Sequence, residues 1–126
     1  MPMHYQIDSQ QGMLFIVAEG DISQPERLTA MQAWLSDPDF RPGLHTLADF
    51  SDATNVPSLP ELEEIAAFIR RHAKRIGRIK IAIVTKRPVT FGVERQFGAL
   101  APGDFLTVQV FRDRDEALTW LAEGPA

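Results

Sequence analysis

Three aspartates are the first residues that could do chemistry: Asp21, Asp49 and Asp52. They follow or close two apolar stretches, MLFIVAE and LHTLADF, so in an open α/β sheet they come to one edge. Convergent carboxylates there can hold a magnesium ion or act as acid and base. Aspartate is also an ordinary loop and cap residue. Nothing nearby in the sequence completes a catalytic set. The histidines, His4, His45 and His72, show no ligand spacing such as H-x-x-x-H. The absence of cysteine excludes a thiol nucleophile, a redox pair and a cysteine-based zinc site, and it fits a reducing, cytoplasmic setting. No catalytic residue, metal ligand set or cofactor is assigned.

Ser58 has two readings, phospho-acceptor or helix N-cap. It opens the phrase S-x-P-E, Ser58-Leu59-Pro60-Glu61, which also occurs at Ser23-Gln24-Pro25-Glu26. A serine hydroxyl there accepts from the third helical N–H while the glutamate reaches back to the cap. The repeat favours the cap, and a phosphate on Ser58 would also meet Glu61, Glu63 and Glu64. The cap reading predicts a bond from the Glu61 N–H to the Ser58 hydroxyl.

The elements that position these residues follow from periodicity. Residues 4–9 and 13–19 read as a hairpin of two strands joined by Gln10-Gln11-Gly12. A helix follows to Ser36, with Leu28, Met31 and Leu35 inward and Ala30 and Trp34 at the flanks. Residues 44–50 form a strand with a polar loop behind it. A second helix has its stripe at Leu62, Ile65, Ala66, Ile69, Ala73 and Ile76, and Gly77 lies just past its end. Residues 79–85 are a strand, 89–101 a helix with Val93, Phe97 and Leu100 inward, and 106–111 the last strand. Asp113 caps a final helix carrying Ala117, Leu118 and Leu121 inward and Trp120 at the flank. The order β-β-α-β-α-β-α-β-α predicts one α/β domain. Its five-stranded mixed sheet has four parallel strands, an antiparallel first strand and right-handed crossovers.

With 126 residues the chain fits one domain that needs no disulfide or metal staple. The longest apolar run, Met13 to Ala18, is far below the roughly 20 residues of a membrane helix. No signal peptide is visible at the N-terminus. Residues 1–69 carry eleven acids and two bases, whereas residues 70–87 carry eight bases and no acid. That block could meet an anionic partner or a membrane surface, or complement the C-terminal end of the second helix. No nucleic-acid signature accompanies it. Trp34, Phe68, Phe91, Phe97 and Trp120 are candidates to line an apolar pocket between helices and sheet.

Four phrases carry a family resemblance: ADFSDATNVPS from Ala48, RIKIAIVT from Arg78, TFGVERQFGALAPG from Thr90 and VFRDRDEALTWL from Val110. With the element order they resemble the STAS domains, and within these the SpoIIAA-like STAS/SEC14 branch. The SEC14 side of the resemblance implies a lipid-like ligand. In the anti-sigma-factor antagonists of that group a D-S-S-G motif opens the second helix, and its second serine is phosphorylated. Aligned on Asp49-Phe50-Ser51, Pro57-Ser58-Leu59-Pro60 lies over that motif. The phosphorylated position falls on Leu59, and proline replaces the glycine. The resemblance thus implies the fold without the phospho-switch.

The function expected is a non-enzymatic binding or regulatory module for a protein partner or a small apolar or anionic ligand, as a monomer or homodimer. Its partner edge comprises Asp21, Asp49, Asp52, Ser58, Lys86, Arg87, Phe91 and Arg112. The alternatives are a phospho-regulated anti-sigma-factor antagonist and a small enzyme using the edge aspartates.

Overall fold

The structure is a computed structural model, and it describes residues 2–86 and 105–123. The expected helix over 89–101, and with it Arg87, Phe91 and Phe97, lies outside them. Strands β1 (Met3–Asp8) and β2 (Met13–Gly20) form the hairpin, with Met3 opposite Ala18 and Asp8 opposite Met13. Strands β3 (His45–Ala53), β4 (Ile79–Val84) and β5 (Leu106–Phe111) follow β2 in parallel, giving the sheet order β1-β2-β3-β4-β5. Four parallel strands and an antiparallel first strand are what the sequence predicts.

Helix α1 (Gln24–Ser36) and helix α2 (Leu59–Arg71) begin at the two S-x-P-E phrases. Both have the full capping box. Ser23 Oγ accepts from the Glu26 N–H and Ser58 Oγ from the Glu61 N–H, each at 3.3 Å. The glutamate carboxylates accept in return from the Ser23 and Ser58 N–H groups at 3.0 and 2.8 Å. Proline in each first turn costs nothing, because its missing N–H has no helical partner there.

Two boundaries differ from expectation. The second helix does not run unbroken to Ile76 but stops at Arg71, and a single turn, α3 (Ala73–Ile76), follows. In an unbroken helix the Phe68 carbonyl would accept from the His72 N–H. Instead His72 Nδ1 donates to that carbonyl at 2.8 Å, and the His72 N–H turns to the Ile69 carbonyl. The helix tightens and ends there. Strand β3 also runs three residues past Phe50. Beyond a register shift between Val17 and Glu19, Glu19 faces Asp52 and Gly20 faces Ala53. Asp52 is therefore a strand residue and not a loop one.

The helices divide between the faces of the sheet. Helices α1, α2 and α3 cover one face, whose core includes Ile16, Met31, Leu35, Ala48, Leu62, Ile69 and Ile83. The last helix, α4 (Arg114–Ala122), covers the other, packing Ala117 and Leu121 on Leu47, Ala82, Val84 and Phe111. Alternation along β3 and β4 explains the division, since successive side chains point to opposite faces. Gly77 joins α3 to β4 at a φ of 75°, and a Cβ there would lie 2.9 Å from the Gly43 nitrogen. Only glycine fits that close approach without strain.

Candidate functional site

The edge after the parallel strands is the first candidate. Asp49 is half-buried and fully engaged. Its carboxylate accepts from the Ser51 N–H at 3.0 Å and pairs with Arg114 Nη1 at 3.2 Å. Burial pushes its carboxyl up, but the hydrogen bonds from Ser51 and Arg114 outweigh this and hold it below the usual carboxylate range. A carboxylate so stabilised is a weak proton acceptor. Asp21 and Asp52 are exposed, and among the described residues no group of three acidic or histidine side chains lies close enough to hold a metal ion. Ser58 is exposed as the α2 cap, Lys86 follows β4, and Arg112 follows β5 and has a bonding partner.

Among the described residues the basic block is interrupted at Lys80. Lys80 is 5% exposed, on the α4 face. Its ammonium donates to the carbonyls of Trp120 at 2.9 Å and Glu123 at 2.7 Å and sits 5.0 Å from the Trp120 ring centre. It thus caps the end of α4, where carbonyls lack helical partners. Arg75 Nε donates to the Leu35 carbonyl at 3.0 Å, and its guanidinium lies over Phe40. Arg70, Arg71 and Lys74 remain exposed at the end of α2 and in α3.

The second candidate is a partly open cavity of about 170 Å³ between α1, α2 and the sheet. Its walls are almost wholly apolar: Leu14, Ile16, Ile81 and Ile83 from the sheet, Met31, Trp34 and Leu35 from α1, Leu62, Ile65 and Phe68 from α2. The expected pocket residues Trp34 and Phe68 are here. Trp120 is not, because it packs on Phe111 across the sheet with ring centres 5.6 Å apart.

Backbone-like bonds hold the two helices at the cavity's end. Asn55 Oδ1 accepts from the Ile22 N–H at 2.8 Å and its Nδ2 donates to the Ile22 carbonyl at 2.7 Å. Gln24 Nε2 donates to the Glu61 carbonyl at 3.1 Å and to the Glu64 carboxylate at 2.8 Å. The loops after β2 and β3, and the helices they start, are thereby tied side by side.

The same arrangement of helices and sheet occurs elsewhere. A crystal structure of an uncharacterised DUF3478-family protein from Shewanella loihica, described as having a SpoIIAA-like fold, matches with a TM-score of 0.63. The match covers 95% of this chain and 94% of that one at 19% identity. The chain has a SpoIIAA-like fold. No family model and no curated protein matches the sequence.

In this SpoIIAA-like fold the residue that sequence reasoning missed is Arg27. It lines the cavity with its side chain only 10% exposed. The signal was available. Position 27 lies three, four and eight residues before Ala30, Met31 and Leu35, all buried, so the apolar stripe of α1 carries the arginine on its face. Among the described residues, Arg27 Nη1 donates to Gln24 Oε1 at 3.1 Å, with Glu61 Oε1 at 3.9 Å. No described helix is long and apolar enough to cross a membrane.

Proposed function

We propose that this SpoIIAA-like protein is a non-enzymatic binding module whose small, largely apolar ligand occupies the cavity between α1, α2 and the sheet. The observation that carries the reading is the cavity itself. Native interiors pack with few voids larger than a water molecule. An apolar void of about 150 Å³ is known to stay dry and accept benzene, and this one is of similar size. Retaining such a space forfeits dispersion contacts along every wall. A ligand that fills it restores them. The engagement of the Asp49 carboxylate by Ser51 and Arg114 weighs against an enzyme built on the edge aspartates. The hydroxyl of Ser58 is committed to the α2 cap, which weighs against a phospho-switch there.

A titration with 1-iodohexane, a short uncharged chain whose iodine quenches tryptophan emission on contact, tests the reading. Trp34 lines the cavity, so saturable quenching of its emission is expected. Ala48→Leu, which places extra methyl groups in the same space, should weaken the quenching. Folded wild-type protein that shows no saturable quenching, or quenching indifferent to Ala48→Leu, would overturn the cavity as the binding site.

A further inference from the structure

The cavity is polar at only a few points, and they differ in kind. Thr46 is satisfied by its own strand, since its hydroxyl donates to the Leu44 carbonyl at 3.3 Å. Asn55 spends its amide on Ile22. Arg27 is different. A guanidinium carries five N–H donors and stays charged at any working pH. Among the described residues it gives one hydrogen bond, to a neutral amide oxygen. Its nearest anion there, Glu61 Oε1, is 3.9 Å away and already accepts the Ser58 N–H at 2.8 Å. Asp21 and Glu26 act on it only at longer range. A cation nine-tenths buried beside an apolar void, with most of its donors unspent among the described residues, is poorly compensated.

The position of Arg27 along the cavity matters as much as its charge. Ile22, Asn55 and Pro57 line the same end, beyond the last residues of β2 and β3. Phe40, Leu44, Ile76, Ile79 and Leu106 line the other, where β3, β4 and β5 begin. From Ile79 to Ile83 alone the wall runs four residues of strand, about 13 Å. A space of about 170 Å³ drawn out over that length is narrow. It suits one extended chain better than two, or than a compact ring.

Resting on the cavity as the binding site, we infer that the ligand is a single-chain alkyl carboxylate. Its chain lies along the sheet between α1 and α2, and its head group pairs with Arg27 at the strand C-terminal end. The fork of the guanidinium matches a carboxylate's two oxygens, and such charge-assisted bonds are about twice as strong as neutral ones. A phospholipid, with two chains, does not suit the narrow space.

Calorimetric titration of wild type, Arg27→Met and Arg27→Lys with octanoate, 1-octanol and octylammonium tests this. The three probes share a chain and differ in head charge. Wild type should bind octanoate about tenfold more tightly than octanol, the scale of one strong charge-assisted bond, and reject octylammonium. Arg27→Met should lose the preference while keeping its affinity for octanol, and Arg27→Lys should keep part of it. If octanol binds wild type as well as octanoate does, or Arg27→Met weakens both equally, the carboxylate assignment is overturned and the cavity reading stands. If none of the three binds, the cavity reading itself fails. Association with anionic phospholipid vesicles in place of octanoate binding would also overturn the assignment. Should Arg27→Met not fold, the wild-type order of the three probes decides the question alone.

Discussion

The two faces of the sheet solve the same problem differently. On the α4 face, small residues let the helix sit down: Ala82 and Ala117 are fully closed off from solvent, as is Leu47 between them and the neighbouring strands. On the α1–α2 face the helices are held by polar ties at their ends, Asn55 to Ile22, Gln24 to Glu61 and Glu64, Arg75 to the Leu35 carbonyl. Large side chains stand between them, and a cavity remains. Tyr5 adds a further tie, donating to Asp37 at 2.7 Å at the end of α1 while its ring meets Trp34 edge-on. The strand centres are closed to water on both faces, Leu47 and Ala82 on one and Ala48 and Ile83 on the other, yet the cavity is lined by the second pair and not by the first. Closure against water and close packing are thus separate properties.

Truncation should separate them most clearly. Leu47 is 0% exposed and Ile83 4%, so burial alone predicts similar losses. Leu47→Ala should cost about 4 kcal/mol, toward the upper end for large-to-small changes in a packed core. Ile83→Ala should cost about 2 kcal/mol, because Ile83 already lacks partners on its cavity side. Urea denaturation of both variants checks this, and equal losses would break the contrast.

Enlargement should give the opposite asymmetry at smaller size. Ala82→Leu has no room beneath α4 and should destabilise by about 1–3 kcal/mol. Ala48→Leu faces the cavity and should change stability by less than about 0.5 kcal/mol in the same urea titrations.

The smallest effect is a pH dependence on the packed face. His45 Nδ1 accepts from the Lys80 N–H at 3.0 Å, which requires the ring to be neutral on that nitrogen. Burial, and then the nearby Lys80 charge, hold its pKa below the ordinary histidine value. The unfolded chain therefore takes up the proton first. The stability contributed is complete above about pH 6.5 and is lost as pH falls through the lower folded value. His45→Gln should flatten that part of the curve in melts run between neutral and mildly acidic pH, while a cavity-face variant such as Ile83→Ala should keep it.

Much of this was legible in the chain. The hairpin, the parallel strands and both capping boxes rest on signals a few residues long: period two, period three to four, and S-x-P-E. The break at His72 was equally local but depended on which acceptor its ring would take, and the stripe through Ile76 concealed it. The candidate site was less legible. In the sequence Asp49 is one of three edge carboxylates that could bind magnesium or act as acid and base, and only the fold brings Arg114, sixty-five positions away, to it. Lys80 looked like part of a basic patch until α4 closed over it.

Among the described residues, the sequence by itself determined the order and direction of the strands and the starts of α1 and α2. These are decided by hydrogen bonds and side-chain periodicities between near neighbours. Only the tertiary structure decided that a cavity stands in front of the α1 face that carries Arg27. The physical reason is that a void is set by how far two helices stand off a sheet. That distance is a sum over side chains from Leu14 to Leu106, and no local stretch encodes it.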